Sequence, residues 1–290
     1  MGDQVLRRRR VKIIMDKALP ILLSIGVFIG VATVAALLID VVLGGWHRLS
    51  PELVMNYPSA RPTEAGMRSA ILGTIYTVGL AAVICIPLSI ATAFYLTEFS
   101  GTGRLPSILR YNIANLAGVP SIIFGVVGLG FLVYGLGLGR SIIAGAFTLA
   151  ILTLPLVTVT CIEAIKTVPD DLRFGAYALG ATKLQVARRI LLPRALPMML
   201  TGGILGVSRA IGEAAPILVI SGLLFIREDP ASLFDRFTVM PLQLFNWISR
   251  PQMAFRELAS AGIIVLLLIL LALNATAIIL RHKLTKRLTE

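Results

Sequence analysis

The sequence predicts an all-α polytopic membrane protein with six transmembrane helices and a long cytoplasmic loop between the fourth and the fifth. Three observations lead there. Of 290 residues, 57% are hydrophobic and 14% charged, against about a quarter charged in a soluble domain. Six stretches reach the roughly 20 mostly apolar residues that a spanning helix needs. Lys and Arg gather in the connections on one side of those spans. The same composition excludes a cytosolic enzyme and a nucleic-acid-binding module, in spite of a net charge of +12.

The first stretch, 18–43, follows a basic N-terminus at 1–17 that carries Arg7 to Arg10, Lys12 and Lys17. Such a start resembles a secretory signal. Its 26 residues exceed the core of about 7–15 residues in a cleaved signal, and no small-residue cleavage site closes it. It reads as a retained helix. The second stretch is 70–96 and the third 112–134. Pro120 interrupts the third, removing a donor and freeing a carbonyl beside Ser121, with Asn112 and Asn115 adding polar atoms. Breaks at membrane depth are tolerated where they line a cavity or are repaired by neighbours, so Ser121 either bonds the freed backbone or faces a pathway. The fourth stretch, 141–163, contains Pro155, and the fifth, 198–224, contains Pro216. Both prolines read as kinks, which suit helices that bend as access alternates and equally static packing. The sixth stretch is 259–280, before a tail at 281–290. Glycines such as Gly125, Gly128, Gly202 and Gly206 read as sites of close helix packing.

Six spans leave both termini on one side. Segments 1–17, 97–111, 164–197 and 281–290 hold 18 Lys and Arg in 76 residues, whereas 44–69, 135–140 and 225–258 hold 8 in 66. The first side has about twice the positive density and is expected to be cytoplasmic. This balance explains the net charge without a polyanionic partner. The run Arg7 to Arg10 reads as a topology determinant that also meets anionic lipid headgroups. Cys85 and Cys161 stand far apart in apolar runs and His47 and His282 are isolated, so neither a disulfide framework nor a metal site is expected. The outer loop 225–258, with Phe237, Trp247 and four arginines, reads as a docking surface for an extracytoplasmic protein or as an aromatic interface belt.

The loop 164–197 is too long for a mere connection and reads as two short helices. Pro169, Asp170 and Asp171 make a helix start, with proline in the first turn and acids at the positive dipole end. Leu172, Ala176 and Leu179 share a face at i, i+4, i+7. Gly180 stops this helix. Thr182 and Gln185 have capping-box spacing for a second, which Pro193 limits. A bent, partly apolar helix pair suits docking into a groove on a soluble partner, and equally an amphipathic loop lying on the bilayer.

Arg209 and Glu213 are the charges deep inside a span, four residues apart on one helix face; Asp40 and Glu98 sit near span ends. A charge at the bilayer centre costs about 2.5–3.5 kcal/mol, so both are expected to face protein. No G-x-x-x-x-G-K-S/T occurs, and Gly135, Gly137 and Gly139 follow an apolar helix rather than a strand. The chain is therefore not expected to hydrolyse ATP or to act as an enzyme by itself.

From Gly180 through nine residues to Ile190, Leu191, Leu192 and Pro193, the loop resembles the second half of the signature of binding-protein-dependent ABC importer permeases. That signature reads EAA, three residues, Gly, nine residues, Ile-x-Leu-Pro. In the first half Phe174 and Gly175 stand where the family has Glu and the first Ala, and Ala176 agrees. The stretches Ala117 to Gly125 (AGVPSIIFG) and Ser208 to Pro216 (SRAIGEAAP), with Met240 to Leu244 and Trp247, resemble the A-type permease subunits of phosphate-specific importers over most of 70–280.

The resemblance implies a type I ABC importer permease core over 70–280. It implies a coupling segment seated in a cleft of an ATPase, carried by Asp171, Leu172, Phe174, Ala176, Leu179, Gly180, Thr182, Ile190 and Pro193. It implies a substrate path past Arg209, Glu213, Ser121 and Asn115. In that path the Arg209 fork would bind phosphate oxygens while Glu213 holds it in place and weakens its grip. The other reading of these two is a self-satisfying pair that fixes helix packing. No cofactor of the chain's own is implied; ATP and Mg are used by the partner ATPase. The implied partners are a homologous C-type permease, a dimer of ATPase subunits and an extracytoplasmic phosphate-binding protein, in a bacterial inner membrane. The rivals are a permease for another oxyanion such as sulfate or molybdate, an ion-coupled secondary transporter, and a transport-silent scaffold. Against the secondary transporter, Glu213 is alone as a deep carboxylate.

Overall fold

The computed structural model describes residues 2–101, 103–222 and 225–289, with side chains between Leu19 and Lys283. Among them there is no strand. Five helices are long and apolar enough to cross a membrane, and a bent pair makes a sixth crossing if counted as one.

α1 (Gly2–Gly45) runs unbroken through the predicted boundary at 17/18; the side chains of the basic residues Arg7 to Lys17 lie outside those described. Nearly every side chain from Leu19 to Leu43 is exposed, and the helix meets the body at its far end. There Gly45 lies so close to α12 (Met253–Thr289) that a Cβ would sit 2.5 Å from the Ala261 nitrogen. A short helix, α2 (Pro51–Met55), leads to α3 (Arg68–Phe94), which continues as a π-helical turn at Tyr95–Phe99.

The third predicted span is not one helix. α4 (Arg104–Leu116) and α5 (Ser121–Val127) are bent by 112°, and α5 continues as π-helix over Gly128–Gly135. Pro120 lacks a donor and pushes Val119 away from helical angles, which turns the chain. α4 is amphipathic: Pro106 and Ile113 are buried while Arg104, Arg110 and Asn112 are exposed, so it does not belong inside the span. Arg110 donates to the Leu96 carbonyl, tying α4 to the end of α3.

α6 (Ile142–Lys166) is followed by α7 (Asp170–Ala178) and α8 (Lys183–Val186). α8 runs through a π-helical turn, Ala187–Leu191, into α9 (Leu192–Gly212). Pro193 therefore does not limit the second loop helix. It sits in the first turn of α9, and the wider π turn just before it accommodates the ring and the missing donor. The predicted fifth span also changes shape. α9 ends at Gly212, Glu213 takes an extended conformation (φ −78°, ψ 111°), and α10 (Ala215–Ser221) starts afresh with Pro216 in its first turn. Pro216 thus opens a helix rather than kinking one. α11 (Met240–Ile248) precedes α12.

The core lies between α3, α6 and α9, where Val78, Cys85, Leu149, Val157, Cys161 and Met199 are buried. Lipid tails are as apolar as these side chains, so close approach through small residues has to supply the attraction. A Cβ on Gly206 would lie 2.6 Å from Val157 Cγ2, and Gly202 seats on Thr160. A second cluster, with Met67, Trp247 and Phe255 at its centre, closes the end of the body where α2, α11 and the start of α12 meet. Trp247 and Phe237 are buried in the body, so these two aromatics line neither a docking surface nor an interface belt, while Phe234, Arg227, Arg236 and Arg256 of the same loop stay exposed. The loop is itself tied down: the Ile142 and Ile143 amides donate to the Asp235 and Leu233 carbonyls at 3.2 and 3.0 Å. Arg68 Nε donates to Asp229 at 3.1 Å.

Candidate functional site

The glycine contacts set the depth of Arg209. Gly202 faces Thr160 and Gly206 faces Val157, so α9 and α6 run antiparallel. One turn further on, Arg209 is level with Leu154, the middle of α6. It projects from the last turn of α9, where a cation favours the unsatisfied carbonyls of the helix end. Arg209 Nε lies 3.5 Å from Glu213 Oε1, with the arginine side chain 57% exposed and the glutamate 16%. The pair forms although Glu213 lies just past the helix rather than on its face. Beside it, Ser208 Oγ donates to Asn274 Oδ1 at 2.9 Å and ties α9 to α12.

The other break reaches the same depth. A Cβ on Gly125 would meet the Pro216 backbone at 2.7 Å, and Gly128 lies beside Ile220 and Thr148. α5 and α10 thus run side by side in the same direction. That register puts Ser121, the first residue of α5, level with the interruption at Gly212 to Ala214. Three of the four predicted path residues, Arg209, Glu213 and Ser121, therefore share one level. Asn115 does not join them; it lies exposed on α4, across the 112° turn. The Pro120 break is repaired by backbone alone: Val119 N–H donates to Leu116 O at 3.2 Å and Ile123 N–H to Pro120 O at 3.0 Å. The Ser121 hydroxyl is not needed for that repair.

In the loop, Gly180 adopts φ +80°, a left-handed conformation that suits a residue without a Cβ. Thr182 and Gln185 form the reciprocal cap, with Gln185 N–H to Thr182 Oγ1 at 3.3 Å and Thr182 N–H to Gln185 Oε1 at 2.8 Å. Pro169 lies just before α7, with Asp170 and Asp171 in the first turn. The expected common face of Leu172, Ala176 and Leu179 divides. Leu172 and Ala176 pack against the core, while Leu179, past the helix end, is 90% exposed. Phe174 and Leu184 are exposed with it, as are Asp171 and Thr182. Ile190 and Pro193 are half-buried at the root of α9. Sequence reasoning missed what fastens this loop. Arg173 donates from Nη2 to the Ile165 carbonyl at 2.9 Å and pairs with Glu98 and Asp170, each at 3.4 Å. Glu98 and Arg173 are far apart along the chain, so no spacing rule links them.

The sequence profile of the binding-protein-dependent transport system inner membrane component family matches residues 86–290, a stretch that contains both breaks and the loop. The chain belongs to this family. Members of this inner membrane component family are multi-pass membrane proteins that work with an ATPase and a substrate-binding protein. The chain is 33% identical over 223 residues to the phosphate transport system permease protein PstA 1 of Mycobacterium tuberculosis (strain CDC 1551 / Oshkosh), covering 77% of this chain and 72% of that one. It is 30% identical over 264 residues to the phosphate transport system permease protein PstA of Haemophilus influenzae, covering 89% and 91%. In fold it resembles a chain of the MetNI methionine ABC transporter, with a TM-score of 0.62 and 15% identity over 78% of this chain and all of that one. The inner membrane component fold therefore holds across divergent sequences.

Proposed function

We propose that the chain is a membrane-spanning permease subunit of an ATP-driven inorganic phosphate importer. The observation that carries this reading is the exposed Arg209 fork at mid-depth, held by Glu213 at the interruption between α9 and α10, in a chain that aligns with phosphate transport permeases along most of its length. A guanidinium presents a planar set of donors that matches phosphate oxygens. Glu213 orients the fork and offsets its charge, so an anion that binds also leaves. The exposed side of Arg209 faces a homologous C-type permease, and the path runs between the two subunits past Ser121.

The loop 164–197 docks on a dimer of ATPase subunits, which use ATP and Mg; the chain itself holds no cofactor. Its exposed Phe174, Leu179 and Leu184 enter the ATPase cleft. A phosphate-binding protein delivers the ion from outside a bacterial inner membrane, and both termini lie in the cytoplasm, as the Lys and Arg asymmetry supports. The test is uptake of labelled phosphate and of labelled sulfate in cells lacking the chain and restored with it. Restoration of phosphate uptake alone is expected. Sulfate uptake restored instead would keep the importer and overturn the substrate.

A further inference from the structure

The loop assigned above to ATPase docking is held to the membrane body by apolar packing and by one buried guanidinium. Arg173, on the inner side of α7, reaches Glu98 on the π-helical turn that ends α3 and the Ile165 carbonyl in the last turn of α6. Three elements meet on this side chain. Both charges are withdrawn from solvent, with Glu98 7% and Arg173 19% exposed. Yet the joint is loose: Glu98 Oε1 lies 3.4 Å from Arg173 Nη1 without hydrogen-bond geometry, the same Nη1 is shared with Asp170 at 3.4 Å, and Arg173 Nε is buried with no hydrogen-bond partner among the described residues.

A buried ion pair is costly to desolvate, and two apolar side chains of similar volume hold helices together as well. A charged pair that is also half-satisfied is therefore poor glue. It is a sensible arrangement where the pairing changes between two states, loose in one and complete in the other. The surroundings permit such a change. Leu172 and Ala176 give α7 an apolar face on which to shift against the core, and Arg173 flanks that face. The π turn at Tyr95–Phe99 closes on i→i+5 rather than i→i+4 hydrogen bonds, a wider and less regular turn on which Glu98 can re-aim.

We propose that Glu98 and Arg173 are positioning residues for energy coupling: their pair is the joint that carries movement of α7 and α8 into α3. It is open here and closes to a two-pronged bond when the loop is pressed towards the membrane. This rests on the reading of 164–197 as the ATPase-docking loop.

The test uses the full complex in proteoliposomes, with sister permease, ATPases and binding protein, comparing wild type with E98Q and E98M/R173M. In both variants ATP hydrolysis without binding protein is expected within about twofold of wild type, while phosphate uptake driven by the binding protein falls about tenfold or more. E98M/R173M keeps the bulk and removes the charge, so wild-type uptake by that variant would make the pair a packing tie and overturn the proposal. Hydrolysis and uptake falling together with loss of assembly would overturn it too. A second measurement alters neither residue: amide exchange over Tyr95–Phe99 in the wild-type complex is expected to slow severalfold on ATP binding. Unchanged exchange would contradict the joint. If the wild-type complex moves a solute other than phosphate, the substrate reading fails, and the same ratio measured with that solute still decides the joint.

Discussion

At the scale of single residues, Arg209 owes its legibility to cost: a guanidinium in an apolar stretch stands out because the membrane makes it expensive. Its fork separates the two readings of the pair. Arg209→Lys keeps the charge and loses the planar donors, so phosphate uptake is expected to fall about tenfold with the subunit still assembled; normal uptake would assign the pair to packing. The partner was found for an incomplete reason. Four-residue spacing assumes a continuous helix, and the helix stops at Gly212, yet the extended Glu213 still folds back to 3.5 Å. Glu98 and Arg173 were illegible because only the tertiary fold brings them together. Another ion pair makes a pH prediction. The Arg68 hydrogen bond holds the Asp229 carboxyl below the usual aspartate range. A lowered carboxyl stabilises the folded loop at pH above its unfolded value and loses that contribution as pH falls through its folded value. Limited proteolysis of 225–239 is therefore expected to be flat from neutrality down to the ordinary aspartate range and to rise below it; R68Q should show the raised rate at neutral pH.

Among the elements, spans were easier to read than breaks. A spanning helix is a sum over twenty residues, and α3, α6 and α12 fall near the predicted stretches because one misjudged side chain scarcely changes the sum. A break has no such signature. The chain is apolar on both sides of Pro120, so composition joined what backbone chemistry divides. At the second break the only local mark is Gly212 followed four residues later by Pro216, a weak stop-and-restart pattern inside an apolar run. Proline position misled in the same way: Pro193 and Pro216 start helices, and a proline in a first turn looks from sequence like one in a kink. Two predictions belong here. Gly180→Ala forces a Cβ into the left-handed region, at a cost of about 1–2 kcal/mol. It should weaken ATPase binding in a pull-down while leaving membrane insertion unchanged. Gly125→Val places side-chain atoms in the Pro216 backbone and separates α5 from α10. Thermal unfolding in detergent should move down by several degrees, as for overpacked cores.

For the whole molecule, the decisive experiment removes the loop. Deleting 170–185 should leave a protein that inserts in the membrane and transports nothing, read by membrane fractionation and labelled-phosphate uptake. Uptake that survives the deletion would favour a carrier that needs no ATPase. The overall architecture rests on seats where one backbone lies directly on a neighbour: Gly45 on Ala261, Gly125 on Pro216, Gly206 against Val157. Atoms left out at these points hold the helices, and that makes tolerance to change lopsided. Along α1 from Leu19 to Leu37, where the described side chains are exposed, exchanges among apolar residues should pass almost unnoticed. At the seats a single added methyl should be felt. A library of all single substitutions, sorted by surviving function, would therefore rank intolerance by the room beside each residue rather than by its hydrophobicity.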